Sequence, residues 1–319
     1  MTNFQIYKKV LPFSLLRALF GLATFAVFLG ITALGGFIGN RMLNDDNGLV
    51  IGLLIGAIVG AILIGLLTHF LAYSLKAGEI AMITRAVSGE KLPEKGVVKE
   101  GVAVVKKRFA TVFLFYLVVN AIKGIFRQLS RVITGAARLL GGGQNGGVVG
   151  GIASIVDSAV QILISYLGDC CLGWVFYREE IGASKAACEG ACIFFKHGKT
   201  LAKNAGRIFG MGFLSFLILA GGFTGIFYLA FNAIPGFADF IMNEFQITET
   251  WIAILVSAAF VSIVLWSIFH SVFVHPFILV GVLRNFIASG IKDKPKESDF
   301  AEVSGKSRRF EKLQSETRI

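Results

Sequence analysis

The sequence predicts an all-α fold: a polytopic integral membrane bundle of about six transmembrane helices in three hairpin units, with basic amphipathic elbow helices on the cytoplasmic side. The first observation is composition. The chain of 319 residues is 55% hydrophobic and only 16% charged, with a mean hydropathy of +0.73. A soluble domain carries about 25% charged residues, so this chain has more apolar side chains than one soluble core would bury.

The second observation is a set of long uncharged runs. Val10–Phe37 contains one charged residue, Arg17, and both Leu49–Leu75 and Thr250–Leu283 contain none. About 20 apolar residues are needed for a helix to cross a bilayer, and backbone amides in lipid must pair within their own segment. We therefore predict membrane-spanning helices at residues 11–37, 49–75, 109–125, 148–176, 208–234 and 251–283.

The third observation is the charge of the segments between these runs. Residues 76–108 carry eight basic and four acidic residues, whereas residues 234–250 carry three acidic residues and no basic one. Because basic loops stay in the cytoplasm, we predict a multi-pass protein with both termini cytoplasmic. The same rule explains the net charge of +11 by contact with the lipid bilayer and its anionic lipids. Nucleic acid is therefore not an expected partner.

A passage of 22 residues occurs in two similar forms. Residues 88–109 read SGEKLPEKGVVKEGVAVVKKRF and residues 289–310 read SGIKDKPKESDFAEVSGKSRRF. In the first passage, Val97, Val104 and Val105 face away from the lysines on a helix, which makes it an amphipathic elbow. We predict such an elbow before each hairpin unit. The predicted organisation is a single transmembrane domain at 1–284, with units at 1–75, 76–176 and 177–284, and a basic cytoplasmic tail at 285–319.

One predicted outer segment is basic and breaks the charge pattern. Lys123, Arg127, Arg131 and Arg138 lie within about 80° of rotation on a helix. Such a helix can lie flat at the outer membrane surface, with its basic side toward lipid phosphates or other anions. It can also be re-entrant and line an anion path. Both alternatives stay open for residues 122–140.

Ionisable residues inside spans are costly and therefore indicate function. The predicted solute path consists of Asp157, Asp169, His69, His270, His275 and Asn120. Asp157 lies nearest the membrane midplane and is the main candidate for solute or proton coupling, whereas Asp169 and the histidines fall in the inner half. The alternative is that these groups are satisfied structural contacts. Pro276 follows His275 and predicts a kink in the last span.

Small residues recur on the second span. Gly52, Gly56 and Gly60 form a GxxxGxxxG pattern, which lets two helix backbones approach closely in lipid. Gly35 and Gly39 on the first span are the predicted partners across the short hairpin. The alternative is a hinge or a pore lining.

Cys188 and Cys192 lie one helical turn apart and are weak candidates for a soft-metal site, but small apolar packing is the more common use of such residues. We find no enzyme signature in the sequence and predict neither an enzyme nor a cofactor. The first functional hypothesis is a carrier or channel for a small polar solute. The alternative is a non-catalytic membrane scaffold or assembly subunit whose basic elbows bind anionic lipid or a protein partner. A homo-oligomer is compatible with either hypothesis.

The last third of the chain carries a family resemblance. The segment NAGRIF at 204–209 and the segment SVFVHPFILVGVLRNFIASGIKDKPKESDF at 271–300 resemble the C-terminal region of choline transporter-like membrane proteins. Bacterial six-span membrane proteins built from helical hairpins are equally similar. The resemblance implies a helical membrane fold and assigns no site residue.

Overall fold

The computed structural model describes residues 1–43, 46–109, 120–122, 124–125, 162, 165–245 and 248–317. Every regular element in these ranges is helical, which confirms the predicted all-α class. The α-helices are α1 (Asn3–Leu43), α2 (Asp46–Val87), α3 (Val97–Arg108), α4 (residues 165–177), α5 (Ala183–Lys196), α6 (Gly198–Ser215), α7 (Gly221–Asn232), α8 (Phe237–Phe245), α9 (Thr250–Phe269), α10 (His275–Lys292), α11 (Glu297–Lys306) and α12 (Arg308–Thr317). Two π-helical turns complete the order: π1 (Phe216–Ala220) and π2 (His270–Val274).

Among the described residues, four stretches are long and apolar enough to cross a membrane: Asn3–Met42, Gly48–Gly65, Ile208–Asn232 and Thr250–Lys292. Their apolar side chains point outward, as shown by exposed fractions of 63% for Leu19, 71% for Leu229 and 69% for Phe260. We call the exposed apolar surface of residues 15–63 and 213–269 the apolar belt. A continuous apolar surface of this size suits lipid rather than water.

The predicted spans at 109–125 and 148–176 fall largely outside the described residues. The count of six spans therefore stays a prediction, and so do the three hairpin units.

The first two helices form an antiparallel hairpin that packs through glycine. A Cβ atom placed on Gly35 would lie 2.7 Å from the Cα atom of Gly56, and one placed on Gly52 would lie 2.9 Å from the Cα atom of Gly39. Gly60 is less crowded, because its nearest neighbour is a ring carbon of Phe28 at 3.2 Å. The backbones thus touch at the positions that the GxxxG pattern indicates.

Beyond the apolar belt, the helices continue into a second region with a hydrophobic core. We call this region the head; it comprises residues 3–14, 72–109, 165–196 and 272–317. Its largest buried side chains are Phe13, Trp174, Phe286 and Phe310, each below 2% exposed. The predicted elbows and tail thus pack together into one core. Each of them is short and amphipathic, and each buries its apolar face against the others.

The two ends of the chain meet in the head. An Arg284 guanidinium nitrogen donates to the carbonyl oxygen of Met1 at 2.6 Å. Ile6 and Val10 near the start of the chain are buried in the same core as Val303 and Phe310 near its end. The head therefore needs residues from the whole length of the chain.

Arg108, the last residue of α3, forms hydrogen bonds with the C-terminal end of α4. Its guanidinium donates to the backbone carbonyls of Val175 at 3.0 Å, Arg178 at 2.9 Å and Ile181 at 2.8 Å. These carbonyls lie at and just after the end of α4, where a helix has no acceptor partners of its own. A cation there also interacts favourably with the helix dipole.

Each π turn interrupts a membrane-length helix. The turn π2 directly precedes His275 and Pro276, and α10 begins there. Proline lacks a backbone donor and disturbs the helical turn before it. A π turn is one way in which a helix accommodates such a break. At Pro276, where the sequence predicts a kink, the helix thus contains the π turn π2.

Candidate functional site

Charged side chains from α1 and α2 meet where the head joins the apolar belt. An Arg17 guanidinium nitrogen lies 2.6 Å from the Oε2 atom of Glu79. The Ser14 hydroxyl donates to the Oε1 atom of Glu79 at 2.8 Å. Glu79 is only 1% exposed, so both of its oxygens are paired inside the protein.

A second charged pair lies beside the first. The Lys76 ammonium is 2.8 Å from the Oδ1 atom of Asp169 on α4. The His275 Nε2 atom is 3.7 Å from the other carboxylate oxygen, Oδ2. The Tyr166 ring stacks on the His275 ring, with 4.7 Å between the centroids. We call these seven side chains the junction cluster: Ser14, Arg17, Lys76, Glu79, Tyr166, Asp169 and His275.

Two polar atoms of the junction cluster are buried without a hydrogen-bond partner among the described residues. They are the Oδ2 atom of Asp169 and the hydroxyl of Tyr166. The 3.7 Å separation from His275 is too long for a hydrogen bond. An unsatisfied buried polar group costs about 1–3 kcal/mol, and such groups mark places where water, an ion or a ligand is bound.

The charges of the junction cluster depend on one another. Burial raises the pKa of Glu79, while Arg17, the Ser14 hydroxyl and Lys76 oppose that rise. The nearby carboxylate of Asp169 raises the pKa of Glu79 further. Two cations and two carboxylates balance when all four groups are ionised. Removal of one of them leaves an uncompensated charge in a poorly solvated place.

The structure brings two of the predicted path residues together and adds five side chains that the sequence analysis did not assign to the path, three of which are charged. Asp169 on α4 and His275 on α10 lie side by side. In the sequence, Lys76 and Glu79 belong to a predicted loop, and Arg17 is the single charge of a predicted span. One feature of the sequence could have identified them. Lys76 and Glu79 lie one helical turn apart among apolar neighbours, a pattern that is unusual for a solvated loop.

The other predicted path residues do not join this site in the described structure. Asp157 and the side chain of His69 lie outside the described residues. Asn120 is exposed on a short helical stretch. His270 lies in π2 against the Trp266 ring, at 5.3 Å between centroids, and the Trp266 indole donates to Ser215 at 3.3 Å.

The outer placement of the basic segment stays a prediction. Lys123, Arg127, Arg131 and Arg138 lie outside the described residues, whereas Ile122, Gly124 and Ile125 are described. Ile122 and Ile125 are buried in the core of the head, and the Arg309 side chain of α12 lies against Gly124. The described start of this segment thus packs in the head beside α12.

The cysteines are part of the head core. Cys170, Cys171, Cys188 and Cys192 are free and buried. Burial raises the pKa of Cys188 to about 12, and the Cys171 thiol donates to the carbonyl oxygen of Ala187. Within the described ranges, no group of three or more histidine, cysteine or acidic residues is placed to hold a metal ion. The geometry favours apolar packing for Cys188 and Cys192.

Comparison with known proteins finds no matching family model, no matching curated protein and no matching solved structure. The resemblance to choline transporter-like proteins therefore stays a prediction.

Proposed function

We propose that the chain is a multi-span membrane protein that carries or conducts a small polar solute, with the junction cluster on its path. The observation that supports this proposal is the pair of unpartnered buried atoms, Asp169 Oδ2 and Tyr166 hydroxyl. One accepts a hydrogen bond and the other donates or accepts one. A small solute with both kinds of group satisfies both atoms at once.

The position of the junction cluster also supports the proposal. Arg17 precedes the strongly exposed Leu19 by two residues on α1, and His275 begins α10 directly after the membrane-length α9 and π2. The cluster therefore lies at the head end of the apolar belt, where a solute would enter or leave. Ionisable groups near the membrane are costly and are kept where they bind or relay solutes.

The test is solute-dependent current in proteoliposomes, measured by electrophysiology on a solid-supported membrane. The solute panel contains inorganic cations and anions, small amines and small carboxylates. We expect one class to give a current in the native protein and a background signal in Asp169→Asn. The matched control is Asp293→Asn, which changes a carboxylate in the head that pairs with Lys196 at 2.8 Å.

Thermal melting of each variant excludes simple unfolding as the cause of a lost current. A current that persists in a folded Asp169→Asn variant contradicts the role of this carboxylate. The absence of current for every solute in the panel contradicts the carrier proposal and favours the scaffold alternative.

A further inference from the structure

Helix α3 has two chemically different faces. Its buried residues are Val97, Gly101, Val104 and Val105. Lys99, Lys106 and Lys107 are exposed on the opposite side, with the small side chain of Ala103 between them. Lys99 and Lys106 are seven positions apart and thus lie almost above one another on the helix. We call these three lysines and Ala103 the lysine face.

The lysine face has no counter-charge on the described part of the protein. The acidic residue of α3, Glu100, pairs with Arg85 on α2 at 2.9 Å. The ion pairs found among the described residues do not include Lys99, Lys106 or Lys107. Three exposed cations on one short helix therefore attract an anionic partner.

The position of α3 indicates which partner this is. Helix α3 crosses α1 and α2 at Gly101, where an added Cβ would lie 2.5 Å from the Phe13 ring and 2.9 Å from the carbonyl oxygen of Gly78. The apolar belt begins two residues after Phe13, because Leu15 is already 41% exposed. Six residues of helix, from Phe13 to Leu19, rise only about 9 Å. The crossing is therefore close to the level of the lipid headgroups.

We propose that the lysine face of α3 binds anionic lipid headgroups of the bilayer around the apolar belt. Long lysine side chains reach toward phosphates while their stems stay along the protein surface. Each lysine near an anionic membrane surface contributes a factor of about five in affinity. This inference rests on the membrane placement of the apolar belt and not on solute movement, so the two proposals fail separately.

The experiment compares two double variants of the full chain in detergent. Lys99→Gln with Lys106→Gln removes two charges from the lysine face. Lys292→Gln with Lys294→Gln removes two exposed charges at the far end of α10, roughly 25 Å along the helix from His275. The melting temperature is followed while phosphatidylglycerol or phosphatidylcholine is added, which gives an apparent Kd for each lipid.

We expect phosphatidylglycerol to stabilise the native chain and to bind the first variant roughly 30-fold more weakly. The second variant should bind phosphatidylglycerol with the native affinity. A double variant with Lys99→Arg and Lys106→Arg keeps the two charges and should also bind it with the native affinity. Equal affinities in both double variants would overturn the proposal. It would also be overturned if inorganic phosphate gave the same stabilisation, since that result indicates a soluble anion rather than a lipid.

Discussion

The glycine contact between α1 and α2 predicts that a methyl group added at Gly52 destabilises this pair of helices. In Gly52→Ala, the new methyl group would lie 2.9 Å from both the carbonyl carbon of Gly35 and the Cα atom of Gly39. These neighbours are backbone atoms, so a side-chain rotation cannot relieve the clash. The methyl group of Gly65→Ala meets no atom within 4 Å, which makes it the matched control.

The magnitude follows from the contact distances. Carbon atoms in contact lie at about 3.5–4.0 Å, so the two helices must separate by roughly 0.5–1 Å at Gly52. Overpacking of this kind costs about 1–3 kcal/mol. The higher helix propensity of alanine returns about 1 kcal/mol at either position. We therefore expect Gly65→Ala to be neutral or slightly stabilising, and Gly52→Ala to be less stable than it by about 1–3 kcal/mol.

The assay is reversible unfolding in mixed micelles with increasing denaturing detergent, followed by circular dichroism. Gly60→Ala supplies an intermediate case, since its close neighbour is the movable ring of Phe28 at 3.2 Å. We expect Gly65→Ala to be the most stable of the three variants, Gly60→Ala to be intermediate and Gly52→Ala to be the least stable. The reasoning fails if Gly52→Ala is as stable as Gly65→Ala, because the two backbones would then not be in contact.

Three further predictions concern the head. Replacement of Arg108 by Gln should destabilise the head by about 3 kcal/mol, because three part-buried carbonyls lose a charged donor; protection of α4 amides from hydrogen exchange measures it, and unchanged protection would contradict the capping role. Glu79→Gln should lower the free energy of unfolding, measured thermally or chemically, by about 3 kcal/mol, since Arg17 keeps a charge without a partner. The double variant with Arg17→Met should recover part of that loss. Hydrogen bonds from the backbone amide of Lys296 and from the Lys196 ammonium lower the pKa of Asp299. The stabilisation that this carboxylate gives is therefore present above its unfolded pKa of about 3.9 and is lost as pH falls through the lower folded value. The protection factors of the α11 amides, which are exchange rates corrected for their intrinsic pH dependence, should therefore fall below about pH 4 in the native chain, and a Lys196→Gln variant should show a smaller change; an equal fall in both would contradict the prediction.

The sequence was sufficient for features set by local composition. Uncharged runs such as Leu49–Leu75 can only be stable in lipid as helices, and the GxxxG spacing of Gly52 and Gly56 marks a surface where backbones approach. A carboxylate among apolar residues also predicts a polar contact, because a buried Asp169 requires hydrogen-bond or ionic partners. These inferences need no knowledge of which helices are neighbours.

The head and the full junction cluster required knowledge of neighbours. The valines of α3 show one apolar face, but the sequence does not say that Phe13 and Gly78 cover it. Lys76 and Glu79 look like solvated loop charges until Arg17 and Asp169 are placed beside them. For the same reason, the sequence does not show that Ile122 and Ile125 belong to the core of the head.

The meeting of the two chain ends in the head has a consequence for biosynthesis. At about 5–20 residues per second, the ribosome adds Phe310 roughly 15–60 s after Phe13. Until then, the head lacks Phe310 and the rest of α12, although the residues of the apolar belt are already synthesised. The core of the head is thus completed only after α12 has been synthesised. A nascent chain stopped before Arg284 would display Ile6 and Val10 to the chaperones and proteases that inspect unfinished proteins.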